Sequence, residues 1–488
     1  MKNPDKQKPN EILSMKGTLF YAMGIFGVQL FIGYVNSFQT EFYNKMYSVF
    51  DPNIFYASAV IIFLAKLISC IGDPIIGSLI DRGDSKNGKI RPWILRSAFP
   101  IALLTTVLFI FIPFTSKALL YAYITLTTVL WNAAMSFADI PSQGMLSRLS
   151  PSLEERDRAA TLSNIAKSIA LATPGVFVTI VMLLLNAVKG AGSYPDSLYY
   201  FVTALGVMVL GTACYLMIYF KNREAVKDSA PQSVSMGDMF RELKTNRMIL
   251  IVFLIYVLGF ARTMTLAVVV QANGALVGKV NFLGTLMDTT ADATWLPGIL
   301  GAVSGLIGIS IVPLINKKLG EKKTYIGFSA ATFVCTTAIC VFYSLQPADS
   351  PLRADTPALV LVMLAQFVTA FLFSANLYIP LIMTADIVNY QQWKTGQRKE
   401  GVNFAILSMS IKLANALCVA AGLLVIGYSG YSQVMYETGV IPPRTQNIAM
   451  FALFGFAGVS ALVSAVPMLF YKIDAKTKRE MQAALSNA

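Results

Sequence analysis

Residues 54–80 read IFYASAVIIFLAKLISCIGDPIIGSLI, an apolar run interrupted by Lys66 and Asp73. A bilayer core of about 30 Å is crossed by about 20 apolar residues in a helix, so this run is long enough to span. A charged side chain at the centre of such a helix costs about 2.5–3.5 kcal/mol on insertion scales. Lys66 and Asp73 are seven positions apart, which puts them on one helical face, two turns from each other. That face must look at protein or water, because lipid offers a charge nothing.

The rest of the chain follows the same rule. Of its 488 residues 55% are hydrophobic and 13% charged, whereas soluble domains carry about 25% charged residues. Apolar runs of spanning length recur twelve times, near 17–39, 54–80, 93–113, 117–141, 160–187, 197–220, 248–270, 296–316, 324–343, 358–382, 402–427 and 449–471. The chain has no histidine, which removes imidazole-based metal sites, triads and acid/base pairs. All five cysteines (Cys70, Cys214, Cys335, Cys340, Cys418) fall in apolar segments and read as small buried hydrophobes. The opening stretch MKNPDKQKPNEILSMK is polar, so membrane entry is expected to begin with the first spanning helix.

Lysine and arginine set the orientation. With both termini cytoplasmic, 29 fall inside and 6 outside, counting residues at a span edge with the adjoining loop. Four lie within spans: Lys66, Lys167, Arg262 and Lys412. Such a split is a positive-inside signal. It also accounts for the +13 net charge without nucleic acid, since no basic-aromatic patch stands apart from the topogenic residues. The expected protein is all-α and integral to the cell (inner) membrane, with lipid around it. Twelve transmembrane helices form two pseudo-symmetric six-helix bundles, 1–220 and 248–488, joined by a cytoplasmic linker at 221–247. The halves echo each other. ADIPSQGMLSRLSPSLEERDRAATLSNIAKSIA follows span 4 and ADIVNYQQWKTGQRKEGVNFAILSMSIKLA follows span 10. Each runs from an Asp to a Lys in the next span, 28 residues on for Asp139 to Lys167 and 26 for Asp386 to Lys412. Internal repeats of this kind mark two-lobed secondary transporters.

Polar residues form stripes within the spans. Asn132, Ser136, Asp139 and Gln143 are spaced 4, 3 and 4, one face of a helix. Ser408, Lys412 and Asn415 do the same in span 11, Gln366, Thr369 and Asn376 in span 10, and Gln29, Asn36 and Gln39 in span 1. Amides and hydroxyls alone serve as interhelical glue. A stripe that includes an aspartate points instead to a cavity. A carboxylate beside a lysine is either ionised and paired or protonated and neutral, the switch an ion-coupled transporter needs. The other reading is a fixed ion pair that sets helix register.

Three segments resemble the glycoside–pentoside–hexuronide:cation symporter family, the melibiose-permease branch of the major facilitator fold. They are GDPIIGSLIDRGDSKNGKIRPWIL, FADIPSQGMLSRLSPSLEERDR and ADIVNYQQWKTGQRKEGVNFAILSMSIK. The resemblance implies cation-coupled sugar symport by alternating access, with no cofactor beyond the coupling ion, H⁺ or Na⁺, and a sugar or glycoside as the small-molecule partner. It implies that Asp73 and Asp139 bind the cation, with Na⁺ also conceivable there, and that Lys412 contacts the acids. Gln29, Asn132, Ser136, Gln143, Lys167 and Lys66 are the expected substrate-site residues.

The departures narrow this picture. Sodium-using members carry a second acid where this chain has Ser69; the loss of a hard oxygen ligand and its charge favours H⁺. A Lys-Asp pair of melibiose-type members matches Val28 and Gln29, and the aromatic platform after their helix-4 Asp-Ile-Pro is Gln143 here. Trp131 is the candidate replacement platform. An α-galactoside is therefore a poor fit, and another glycoside, a pentoside or a uronide a better one, with Lys66, Lys167 or Arg262 to meet a uronide carboxylate. Inside loops DRGDSKNGKIR, LEERDR and QWKTGQRKEG mix both signs and read as a cytoplasmic latch or as ordinary solvated loops. The outside segment 271–295 reads as a cap or a connector. The rival functions are the same fold carrying a lysolipid or organic anion, or a non-transporting sensor. No nucleophile site or nucleotide loop supports an enzyme.

Overall fold

The structure, a computed structural model, describes residues 13–81, 88, 90–150, 153–189, 194–225, 236–282, 285–289, 295–396, 399–431, 435, 438–473, 477–478 and 480–481. Most of loop DRGDSKNGKIR and the middle of the linker lie outside the described residues, as do the side chains of Arg262, Glu154 and Asp157. The helices are α1 (Met15–Tyr47), α2 (Ile54–Asp81), α3 (Arg91–Val107), α4 (Lys117–Arg148), α5 (Leu153–Lys189), α6 (Asp196–Lys221), α7 (Met236–Thr245), α8 (Arg247–Leu258), α9 (Met264–Leu276), α10 (Leu296–Leu319), α11 (Glu321–Ser344), α12 (Asp355–Thr395), α13 (Glu400–Tyr428), α14 (Pro443–Met450) and α15 (Phe456–Met468).

Each of the twelve apolar runs falls on helix. Among the described residues nine helical segments are long and apolar enough to cross a membrane by themselves, and α5 makes a tenth if its two limbs count as one span. Those limbs bend by 42° between Leu171 and Thr173, beside Pro174, whose ring clashes with the carbonyl four residues back and supplies no N–H. The remaining two runs are α3, 17 residues long, and a broken span made of α8, a 3-10 turn at Phe260–Thr263, and α9. A break inside a membrane frees backbone groups that need new partners. Ser460 of α15 supplies them: its Oγ donates to Leu258 O at 2.8 Å and accepts from Ala261 N at 3.2 Å.

The chain divides into two compact units, Met1–Phe42 with Ile71–Ser233, and Tyr43–Cys70 with Val234–Ala488. The first part of α2 belongs to the second unit because it packs on α13. Cys70 Sγ lies 3.9 Å from Met409 O, and a Cβ on Gly427 would overlap the Tyr56 ring at 2.6 Å. In the first unit, Gly27 of α1 lets the backbone of α6 approach. A Cβ there would sit 2.4 Å from Gly211 O and 2.6 Å from Tyr215 N.

The two units fasten their third and sixth helices alike. In the first, Ser97 of α3 and Tyr215 of α6 share a hydroxyl hydrogen bond of 2.8 Å. In the second, Tyr325 of α11 and Ser464 of α15 do so at 2.8 Å, with the residue types exchanged. Arg91 at the start of α3 donates to Tyr219 O at 2.6 Å, and Lys322 at the start of α11 donates to Leu469 O at 2.5 Å. Glu224, just past α6, accepts from Ile90 N at 2.8 Å, Arg91 N at 3.1 Å and Arg148 of α4 at 3.1 Å. A carboxylate at a helix N-terminus satisfies orphan N–H groups and opposes the dipole.

The linker and the outside segment both hold structure. Amphipathic α7 buries Met239 and Leu243 with Ile379, Ile387 and Ile406. Its Glu242 accepts from Gln391 Nε2 at 2.7 Å, Lys399 Nζ at 2.9 Å and Asn246 Nδ2 at 3.1 Å. The segment read as outside forms an antiparallel hairpin, β1 (Lys279–Phe282) with β2 (Thr285–Asp288), pairing Lys279 with Asp288. Asp355 and Thr356 at the start of α12 hold it through Asn281 N at 2.9 Å and Asn281 O at 3.0 Å. Gly27→Val is expected to force α1 from α6 and destabilise the protein by about 1–3 kcal/mol, typical of overpacking, read as a lower melting temperature of the purified protein.

Candidate functional site

The first unit draws three of the expected residues into one chain of hydrogen bonds. Gln143 Nε2 donates to Asp139 Oδ1 and Oδ2, both at 3.2 Å. Lys167 Nζ on α5 donates to Gln143 Oε1 at 3.2 Å. An acid and a base are thus joined through an amide that donates with one end and accepts with the other. Asp139 and Lys167 are half-buried and Gln143 is exposed. Asp139 and Gln143 meet because four residues is one helical turn.

The backbone beneath this chain is pinned from outside the helix. Pro141 lies within α4, so the carbonyl four residues earlier loses its usual donor. The neighbouring carbonyls take side-chain donors: Tyr215 OH donates to Ala138 O at 3.2 Å, Ser142 Oγ to Asp139 O at 2.8 Å, and Tyr21 OH to Ser142 O at 3.1 Å. The carboxylate of Asp139 therefore projects from a turn of helix held by α1 and α6.

The remainder of the stripe does different work. Asn132 Nδ2 donates to Thr128 O at 2.8 Å and Ser136 Oγ to Asn132 O at 3.3 Å; Ser136 is buried. Gln39 of α1 donates to Thr128 Oγ1 at 2.8 Å. This end of the stripe is knitted to its own helix and to α1. Trp131 is buried, with Nε1 donating to Thr105 Oγ1 of α3 at 2.9 Å. It packs between helices and is no platform for a sugar ring. Gln29 is half-buried beside buried Val28. One turn beyond it, a Cβ on Gly33 would meet Ala170 O and Pro174 Cγ of α5, both at 3.2 Å. Lys167 is one turn before Ala170, which sets Gln29 and Lys167 at similar depth on parallel helices.

Asp73, half-buried on α2, belongs to the first unit, while Ser69, one turn earlier, and Lys66 belong to the second. Lys66 is close enough to Cys418 of α13 for electrostatic interaction. Lys412, half-buried on α13, is also in the second unit. Asp386, the sequence counterpart of Asp139, does not repeat the amide link: its Oδ2 accepts from Lys478, past the last span. Spacing within spans could not reveal this, because the partner comes from a segment that folds back after α15. Glu242 was equally hidden, its partners lying 149 and 157 residues away.

The family description "MFS/sugar transport protein" matches residues 20–475, and the chain belongs to that family of the major facilitator superfamily. It is a multi-pass cell-membrane transporter of the sugar-symporter class, and not an enzyme. It is 24% identical to the isoprimeverose transporter of Lactiplantibacillus pentosus over 95% of this chain and 90% of that one. It is 22% identical to a glucuronide carrier protein homolog of Escherichia coli, covering 88% of this chain and 87% of that one. In fold it resembles a D-xylose-proton symporter, with a TM-score of 0.61 at 13% identity over 94% and 98% of the two chains.

Gln143→Leu removes both ends of the link between Asp139 and Lys167 and leaves each to find another partner. Hydrogen bonds to charged groups contribute about 1.5–3 kcal/mol, so radiolabelled substrate uptake is expected to fall at least tenfold while membrane expression is retained.

Proposed function

We propose that the chain is a proton-coupled symporter of a glycoside, pentoside or uronide, with both termini cytoplasmic and two six-helix bundles, 1–220 and 248–488, working by alternating access. The observation that carries this reading is the Asp139–Gln143–Lys167 chain. While Asp139 is ionised, its charge holds the Gln143 amide. A proton on Asp139 removes that charge and releases Gln143 NH₂ and, through it, Lys167. The amide then meets a sugar hydroxyl, and Lys167 meets a carboxylate where the sugar is a uronide. Ion and sugar become coupled because each binds better once the other has prepared the site.

Asp73 is the second ion-binding carboxylate of the first unit, and Gln29 lies beside the sugar. Protons suit this set better than Na⁺. Ser69 stands where a further acid would supply the hard, charged ligand that a metal cation needs. The substrate class draws support from the names of two relatives, a transporter of isoprimeverose and a glucuronide carrier homolog. A lysolipid or organic anion is the competing cargo, and a ligand sensor without flux the competing role.

Proteoliposomes given a pH gradient or a Na⁺ gradient, with a panel of xylosides and glucuronides, test the assignment. Accumulation is expected with the pH gradient alone. Asp73→Asn is expected to abolish uphill accumulation while sparing exchange of labelled for unlabelled sugar. Uptake driven only by Na⁺, or normal accumulation by the variant, would overturn the coupling scheme.

A further inference from the structure

The two halves carry equivalent acids with unlike surroundings. Asp139 and Asp386 each follow Ala and precede Ile in the fourth helix of their half. Asp139 is held by a neutral amide. Asp386 is held by Lys478, whose Nζ donates both to Asp386 Oδ2 and to Glu321 Oε1 at the first residue of α11. The side chains of Glu321, Asp386 and Lys478 are 8%, 18% and 22% exposed, so solvent screens the cluster little. Burial works against the ammonium of Lys478, yet the hydrogen bonds and charges of Asp386 and Glu321 outweigh it and hold its pKa above the usual lysine value.

The other groups around the cluster do not replace that lysine. Tyr471 and Tyr378 face the acids as neutral phenols, Tyr471 near both and Tyr378 near Glu321. Lys322, next to Glu321, spends its ammonium on Leu469 O. In the first half the residue past the sixth helix, Glu224, is an acid that caps α3 and pairs with Arg148. In the second half the residue past the last helix is a base that closes on two acids. The clasp recurs and its sign is inverted.

We propose that Lys478 is the built-in counter-ion of the second-half acid pair, occupying Glu321 and Asp386 so that coupling protons are taken by the first half. Lys478 is a positioning residue: it touches neither sugar nor coupling ion. This inference rests on the proton-symport reading, but its primary readout needs no sugar. Without the lysine, two adjoining carboxylates do not both stay ionised, and the pair takes up one proton. That proton is bound by the folded protein and not by the unfolded chain at pH values above about 4.3. Stability then falls as pH rises through the range where the pair gives up the proton.

Purified protein in lipid nanodiscs, melted without substrate from pH 5.5 to 8, reads this directly. Lys478→Gln is expected to lose on the order of 2–4 °C in melting temperature relative to wild type as pH rises across that range. Lys478→Arg should follow the wild-type profile, and Lys478→Gln with Asp386→Asn should lose the extra slope. In uptake assays Lys478→Gln should gain a second titration step in its pH profile. A melting profile parallel to wild type would overturn the counter-ion role. A changed melting profile with an unchanged uptake profile would reduce Lys478 to a structural clasp and overturn its role in coupling. If Lys478→Gln alone does not fold, the double variant should restore folded protein; failure of both overturns the proposal. Absence of sugar uptake by the wild type would defeat the symport reading and leave the melting test intact.

Discussion

A polar group inside a bilayer has no water to turn to, and each one must be answered by another group of the protein. The molecule meets that demand with side chains placed at the points where helices break. Ser460 bonds both the carbonyl and the N–H released where α8 gives way to the 3-10 turn. Around Pro141, three hydroxyls from three helices take up carbonyls of α4. Arg353, buried in the second unit just before α12, is met by the carbonyls of Tyr343, Gln346 and Pro347 and the side-chain oxygens of Gln446 and Asn447. It lies over the Tyr343 ring at 4.7 Å. Neutral acceptors in number stabilise this guanidinium.

This demand explains what the two halves share. The repeat is one of contacts more than of residue types. Ser97 with Tyr215 and Tyr325 with Ser464 make the same bond between the same helix positions with the partners interchanged. Arg91 and Lys322 close the same gap between the third and sixth helices. A hydroxyl pair is indifferent to which helix carries the tyrosine, so drift in sequence leaves the fastening intact. Sequence similarity between the halves shrinks to the Ala-Asp-Ile stretches while the geometry persists.

The spans were legible because hydropathy and length determine them with no knowledge of contacts. Lys66 and Asp73, legible as charges on one apolar helix, are both half-buried. Element ends were less so: α1 runs to Tyr47 and α4 to Arg148, beyond the apolar runs, and the extra turns of α1 are buried despite Glu41 and Asn44, which hydropathy alone does not anticipate. Gln143 with Asp139 was visible as a one-turn spacing, and Lys167 followed from the repeat. The hairpin at 279–288 was not visible, because its anchor is Asp355, some 74 residues away. Trp131 could be read as platform or packing until Thr105 supplied a partner for its N–H. Asp386 was legible only as the repeat of Asp139, with no partner assigned to it. The repeat fails there because the folded-back segment after α15 delivers a charge that no periodicity encodes.

Unequal treatment of equivalent acids is what a coupled transporter gains from an imperfect repeat. A carboxylate held by an amide at 3.2 Å gives up little when it is protonated, for the amide is neutral and finds another acceptor. A carboxylate held by a buried ammonium gives up a charge-assisted bond, about twice as strong as a neutral one, and strands the cation in a poorly solvated place. In the proposed coupling scheme the first arrangement is the one that takes the proton, because the second is already occupied by a cation. A protein with two unoccupied acids would offer a proton two unlinked sites, and the ratio of ion to sugar would drift with pH. With Asp386 committed to Lys478, the scheme leaves a single amide-held acid, Asp139, on the helix that presents Gln143.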